Sequence, residues 1–301
     1  MQHQRSRWTA LFIALAVSAF SAPVHALNEV SWVSSTGSGA ACTRAAPCAT
    51  FVAALSNTLI NGEIRCLDAG NFAAVIIQQS VTIDCHEARA LVLAAFSCFI
   101  INLTTTVASD PAQTVKIRGV TCDGFAVPGP NGSYGVSIVS AAAVYLDDMV
   151  ITDMGQQGVI DTRTHGGVLF IRNSAIRNSG GPGIVAATTG GPYGASIDNV
   201  HSNRNGFGIA VGNGNNIRIN HSEFSNNSVG IEVDPGGQVG IDSAVLSFNG
   251  TGLQNSGTMS FSNSDITFNN TAISGATFSF GNNRIFGNSA AGTAPSPAGF
   301  K

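Results

Sequence analysis

The chain has 301 residues, with 14 Lys plus Arg against 17 Asp plus Glu and a formal net charge of −3. Its lysines are Lys116 and Lys301, so it lacks the clustered cations of a phosphate-binding surface, and nucleic acid is excluded as an expected partner. Charged residues at 10% beside 35 glycines exclude a salt-bridged helical bundle and point to a turn-rich, backbone-dominated fold.

The first element in chain order is an export signal over residues 1–26. Arg5 and Arg7 make a basic start, Leu11 to Phe20 is apolar but too short to span a bilayer, and Val24-His25-Ala26 fits a small-residue cleavage site. The expected location is secreted or periplasmic, with no membrane insertion after cleavage, because no later run is long enough to span. Six cysteines follow, Cys42, Cys48, Cys66, Cys85, Cys98 and Cys122. An even count in an exported chain favours disulfides, and the lack of a CxxC pair, with His86 alone nearby, argues against a metal site.

Residues 27–62 are expected to form an N-terminal cap. Cys42 to Cys48 frames a short loop, and Ala49 to Asn57 reads as a brief helix with Thr50 as N-cap and Phe51, Val52, Ala54 and Leu55 on its apolar side.

Residues 63–290 repeat one phrase, typified by NNIRINHSEFSNNSVGIEV at 215–233. An apolar-x-apolar strand recurs centred on Ile83, Ile117, Leu146, Ile171, Ile197, Ile219, Ile241, Phe261 and Phe280, at intervals that shorten from 34 residues to 19. Five positions after a centre stands a second core residue: Cys122, Ile151, Ile176, Ser202, Phe224, Leu246, Ile266 or Ile285. A Gly-led strand follows, as in Gly208-Ile-Ala-Val and Gly230-Ile-Glu-Val. Such units cannot bury their inward faces alone, whereas stacking them at about 4.8 Å does. The fold class is therefore all-β, a parallel β-helix of about 9–10 coils with a short capping helix. Two positions after each centre lie Asp148, Asn173, Asn199, His221, Ser243, Asn263 and Asn282, read as a buried ladder satisfying the bend, with His221 a ladder member rather than a catalyst. Residues 291–301, rich in Pro and Ala, are expected to be a flexible tail.

The unit Ile217 to Val233 resembles the coil of right-handed parallel β-helix proteins of the pectate-lyase-like superfamily, and the resemblance covers roughly residues 60 to 290. It implies that the Gly-led strands form the face on which such enzymes hold an extended polysaccharide. Aligning Glu63-Ile-Arg-Cys66 with Thr82-Ile-Asp-Cys85 stacks Cys66 on Cys85 in adjacent coils, within disulfide reach. Cys42–Cys48 would pin the cap, and Cys98–Cys122 follows by elimination.

Two faces of the coil offer polar groups for chemistry. The outward positions of the Gly-led strands, Ser137, Ile160, Val185, Ala210, Glu232 and Gln254, carry one carboxylate, too few for a hydrolase. The loop Asp161-Thr-Arg-Thr-His165 supplies the catalytic candidates Asp161, Arg163 and His165, with calcium as the cofactor only if the protein is a lyase. On the first-strand face Arg118, Asp147, Arg172 and Asp198 alternate in sign beside Tyr145 and Phe170, which would offer a platform for sugar rings. These six are the expected ligand-binding residues, and Arg218 and Glu232 are further outward charges on different faces. The expected function is an exported, non-catalytic, monomeric module binding a glycan or a surface. The alternatives are a polysaccharide lyase or glycoside hydrolase, and a structural or adhesive solenoid.

Overall fold

The computed structural model describes residues 27–104, 107–124 and 132–299. The expected export signal over residues 1–26 lies outside the described residues, as does Lys301. Strands stack in parallel around a continuous apolar bore and form three columns. The first two columns make one 19-stranded sheet, and the third is a 10-stranded sheet running from Val75–Ile77 to Ala290–Gly292.

Period-two alternation sets the register. Ile83, Ile117, Leu146, Ile171, Ile197, Ile219, Ile241 and Phe261 pair in sequence along the first column, and each is buried. The second column stacks Cys122, Ile151, Ile176, Ser202, Phe224, Leu246, Ile266 and Ile285, as the five-residue offset predicts. The predicted last centre is displaced by one residue. Ser279 pairs with Phe261, so Phe280 faces outward and is exposed, because a one-residue change of register turns every side chain to the other face.

Both chain ends depart from expectation. Asn28–Val33 already pairs with Thr58–Cys66, so the parallel stack starts inside the segment assigned to the cap. The helix Phe51–Ser56 follows that first strand; Thr50 Oγ1 accepts from the Ala53 N–H, and Phe51 and Ala54 are buried while Val52 is exposed. At the other end Ala290–Gly292 and Ser296–Pro297 add strands to the third and first columns, so pairing continues into the expected flexible tail. The three disulfides join Cys42 to Cys48, Cys66 to Cys85 and Cys98 to Cys122.

The residues two positions past each centre do bend the chain, all with positive φ, from 44° at His221 to 55° at Asn282. They are not the buried ladder, since Asn173, Asn199, His221, Asn263 and Asn282 are exposed. Short polar side chains tolerate the left-handed conformation, which accounts for the Asn enrichment without burial. The buried ladder lies at the next bend, before the third column, and consists of Asn205, Asn227, Asn249 and Asn269. Each Oδ1 accepts the backbone N–H of its upstream equivalent: Asn205 to Asn227 at 2.8 Å, Asn227 to Asn249 at 2.9 Å and Asn249 to Asn269 at 2.9 Å. A backbone that turns inside the wall has its donors met by this column.

Glycines that open the third-column strands have a packing role. A Cβ on Gly208 would stand 2.4 Å from the Gly230 carbonyl oxygen and 2.7 Å from the Phe224 ring, and one on Gly158 2.3 Å from Ile176. These positions stay bare because the neighbouring coil and the second-column core occupy the space.

Candidate functional site

The loop candidates do not assemble a catalytic centre. Asp161 and Arg163 are both 0% exposed. Arg163 Nε donates to Asp161 Oδ1 at 2.9 Å, Nη2 donates to Oδ2 at 2.6 Å, and Nη1 donates to the Ala141 carbonyl at 2.8 Å. The guanidinium lies 5.5 Å from the centroid of the buried Tyr193 ring, whose phenol is pushed well above its ordinary pKa first by burial and then by the Asp161 charge. A fully buried ion pair with its donors spent on the backbone braces a loop, and no substrate reaches it. His165 is exposed and within 3.1 Å of Thr164, apart from that pair.

Glu232 stands on the third-column face, half-buried, where burial and then the Asp234 charge raise its carboxyl pKa and Gln254 donates to it at 2.9 Å. Its neighbours in register are Ala210 and Gln254, so the adjacent coils bring no carboxylate against it, and the one nearby is Asp234, two residues on in its own coil. Among the described residues no group of three or more His, Cys, Asp or Glu side chains is placed to hold a metal ion.

The first-column face carries all six predicted ligand-binding residues in two adjacent rows. One row runs Arg65, Asp84, Arg118, Asp147, Arg172, Asp198, strictly alternating in sign over six successive coils. Arg118 reaches Asp84 at 3.0 Å and Asp147 at 3.3 Å, and Arg172 reaches Asp147 at 3.0 Å. Burial pushes the Asp147 carboxyl up, but donation from Arg172 and Asn173 and the charges of Arg172 and Arg118 outweigh it and leave it below the ordinary carboxylate range. Asp198 turns instead to His221, 3.1 Å away. These charges largely spend themselves on one another, as exposed pairs across neighbouring strands do.

The second row reads Lys116, Tyr145, Phe170, Ser196, Arg218, Gly240, Ser260, Phe278. Tyr145 and Phe170 stack on each other with centroids 4.7 Å apart and planes 4° from parallel, and the Lys116 ammonium lies 5.7 Å from the Tyr145 centroid. In-register strands impose that stacking, so the pair is no open two-ring platform. Tyr145 is taken up between Lys116 and Phe170, and Phe170 alone borders open space.

That space is a shallow groove of about 520 Å³ with Phe170 at its head and Gly194, Ser196, Arg218 and Gly240 along it. A Cβ on Gly194 would meet nothing within 4 Å, and one on Gly240 only Ser260 Oγ at 4.0 Å. Neither glycine has the positive φ that would require it. Strands disfavour glycine, and one that neither packing nor backbone geometry demands marks a surface kept open for close approach. The sequence carries this signal as glycine at outward strand positions, which the periodicity of apolar residues does not register.

A family model described as a right handed beta helix region matches residues 97–242 and 160–296. The chain belongs to that right-handed β-helix family. Among solved structures this β-helix protein is similar to a pectate lyase, Pel9A, with a TM-score of 0.53 and 15% identity over 91% of this chain and 79% of that one. It is likewise similar to an alginate lyase from Paenibacillus sp. str. FPU-7, with a TM-score of 0.51 and 16% identity over 88% of this chain and 98% of that one. At such identities the likeness concerns the fold. No curated protein matches the β-helix chain in sequence. Among the described residues no helix is long and apolar enough to cross a membrane.

Proposed function

We propose that this β-helix protein is a secreted, non-catalytic glycan-binding module whose ligand lies in the first-face groove. The observation that carries this reading is the pair of unforced glycines, Gly194 and Gly240, lying beyond the open face of Phe170. A pyranose ring presents an apolar C–H face that stacks on an aromatic ring, and flanking polar groups hold its hydroxyls. Asn216 and Arg218 in the groove supply such donors. Three disulfides support an oxidising, extracytoplasmic setting. The fold neighbours, a pectate lyase and an alginate lyase, support a polysaccharide as the ligand class.

Binding is favoured over cleavage because Asp242, two residues from Gly240, is poorly suited to proton transfer. Asp242 is held below the ordinary range, first by donation from Ser262 and then from Asn263. A general acid needs the opposite shift. The fold neighbours, both lyases, keep the lyase reading as the alternative.

One experiment separates the two. Full-length protein is titrated with pectate and with alginate by calorimetry while the mixtures are assayed for unsaturated products and new reducing ends. The expected result is binding without product, weakened roughly tenfold by Phe170→Ala and abolished by Gly194→Trp. Product formation would move the protein to the lyases, and unchanged binding by both variants would remove the groove from the reading.

A further inference from the structure

We infer that the groove is one segment of a longer trough that takes an extended glycan chain parallel to the solenoid axis, running from Phe170 to a second aromatic stop at Phe278. This rests on the glycan-binding reading above and adds to it the direction, the extent and the far end of the site.

The register supplies the geometry. Phe170, Ser196, Arg218, Gly240, Ser260 and Phe278 occupy one outward row on successive coils. At about 4.8 Å per coil the two phenylalanines stand roughly 24 Å apart along the axis. Of the four positions between them, three are Gly or Ser, so the row is low everywhere except at Arg218. A second depression of about 150 Å³ adjoins the groove, shares Arg218, Gly240 and Ser260 with it, and ends against Phe280. Phe278 and Phe280 are 47% and 45% exposed, side by side on the coil that closes the trough.

The row beside it supplies polar groups at matching intervals. Asp198, Asn220, Asp242 and Ser262 pair in register along the same four coils, with Ser262 Oγ donating to Asp242 at 2.6 Å. Upstream of Phe170 the corresponding rows are filled by Tyr145, Lys116 and the interlocked Arg–Asp ladder. Relief along this face therefore changes at Phe170 and again at Phe278. A site for one sugar would need the head of this trough only, and nothing about such a site would require Gly240 and Ser260 to be small two coils and three coils beyond Ser196. A linear polymer, whose repeating rings meet a repeating floor, uses its full length.

The test is a length series. Pectate and alginate oligomers, from the monomer upward one sugar at a time, are titrated into the full chain and into two variants. Affinity is expected to rise with length and then level off once the oligomer reaches Phe278. Phe278→Ala should bring the plateau to a shorter oligomer and weaken the longest ligands roughly tenfold, leaving the shortest unchanged. Gly240→Trp, whose Cβ meets only Ser260 Oγ at 4.0 Å, obstructs mid-trough without disturbing the fold. It should cut the affinity of long oligomers to that of short ones. Binding that is independent of length, or a length dependence untouched by both variants, would overturn the trough while leaving the Phe170 groove standing. An absence of binding at every length would overturn the glycan reading itself.

Discussion

The two halves of the solenoid solve the same packing problem with different chemistry. Up to about residue 124 the coils are unequal, with register partners 33, 19 and 34 residues apart, and covalent bonds join them: Cys66–Cys85 and Cys98–Cys122 link segments 19 and 24 residues apart. From Asn205 onward the coils settle to between 19 and 22 residues, as the spacing of the ladder bonds shows, and hydrogen-bonded asparagines replace sulfur. An asparagine ladder works only if each coil presents its amide at the same height, so it needs equal coils. A disulfide tolerates unequal ones, because it fixes two points and ignores the loop between them. The trough lies on the regular half, where one outward row can repeat coil after coil.

The strongest way to break this comparison is to reduce the protein. Each disulfide stabilises by about 2–4 kcal/mol, so losing all three removes an amount comparable with the roughly 5–15 kcal/mol stability of a whole domain. In a stack whose units contact only their neighbours, the loss stays local. Amide exchange with reductant should show residues 28–124 losing protection while the coils from Asn205 to Ser274 keep theirs. Simultaneous loss across the chain would mean that the two halves share one cooperative unit.

The reciprocal test removes one amide from the regular half. Asn249 Nδ2 donates to the Phe224 carbonyl and to Asn269 Oδ1, both at 2.9 Å, and its Oδ1 meets the Asn227 N–H at 2.9 Å. Asn249→Ala leaves that buried donor and that carbonyl without partners and should cost about 2–4 kcal/mol in chemical denaturation. Asn263→Ala, at an exposed bend with φ of 50°, gives up tolerance of that conformation and a surface bond to Asp242 and should cost only about 1 kcal/mol. Equal losses would return the load to the exposed bend.

That pair of asparagines also shows what the sequence could and could not reveal. Stacking followed from alternation, since Ile171, Ile197 and Ile219 have nowhere to go but the bore, and the offset to Ile176 and Phe224 followed with it. The ladder was misplaced because asparagine serves two needs here, tolerance of positive φ at Asn199 and a bridging amide at Asn205, and composition does not separate them. Asp161 and Arg163 drew attention as a charged loop, because residue order does not say that both side chains point inward. Tyr145 and Phe170 were adjacent as expected, but the parallel register that made them neighbours also turned their faces toward each other. Glycines posed the subtlest case: Gly208 and Gly240 are the same letter in similar strands, and only the space around an added Cβ distinguishes packing from openness.

The smallest expected effect concerns acid, and it ties the regular half to its trough. Asp242 accepts from Ser262 at 2.6 Å, from Asn263 at 2.7 Å and from Ser243 at 3.1 Å, and these bonds, with the Arg218 charge, hold its pKa down. A carboxyl whose folded pKa lies below its unfolded value, about 3.9, contributes stability that is present above that value and lost as pH falls through the folded one. Asp147, lowered in the same direction, adds to the trend from the coils nearer the disulfides. Acid titration of stability below about pH 4 should therefore show a decline that Asp242→Asn shallows in the regular half, whereas Asp147→Asn shallows it upstream. Because Asp242 lines the far depression beside Arg218 and its carboxylate feels that charge, the same variant frees the guanidinium from a neighbouring counter-charge. An anionic oligomer should then bind slightly tighter at neutral pH, by a factor of about two, and a weaker or unchanged affinity would place Arg218 outside the trough.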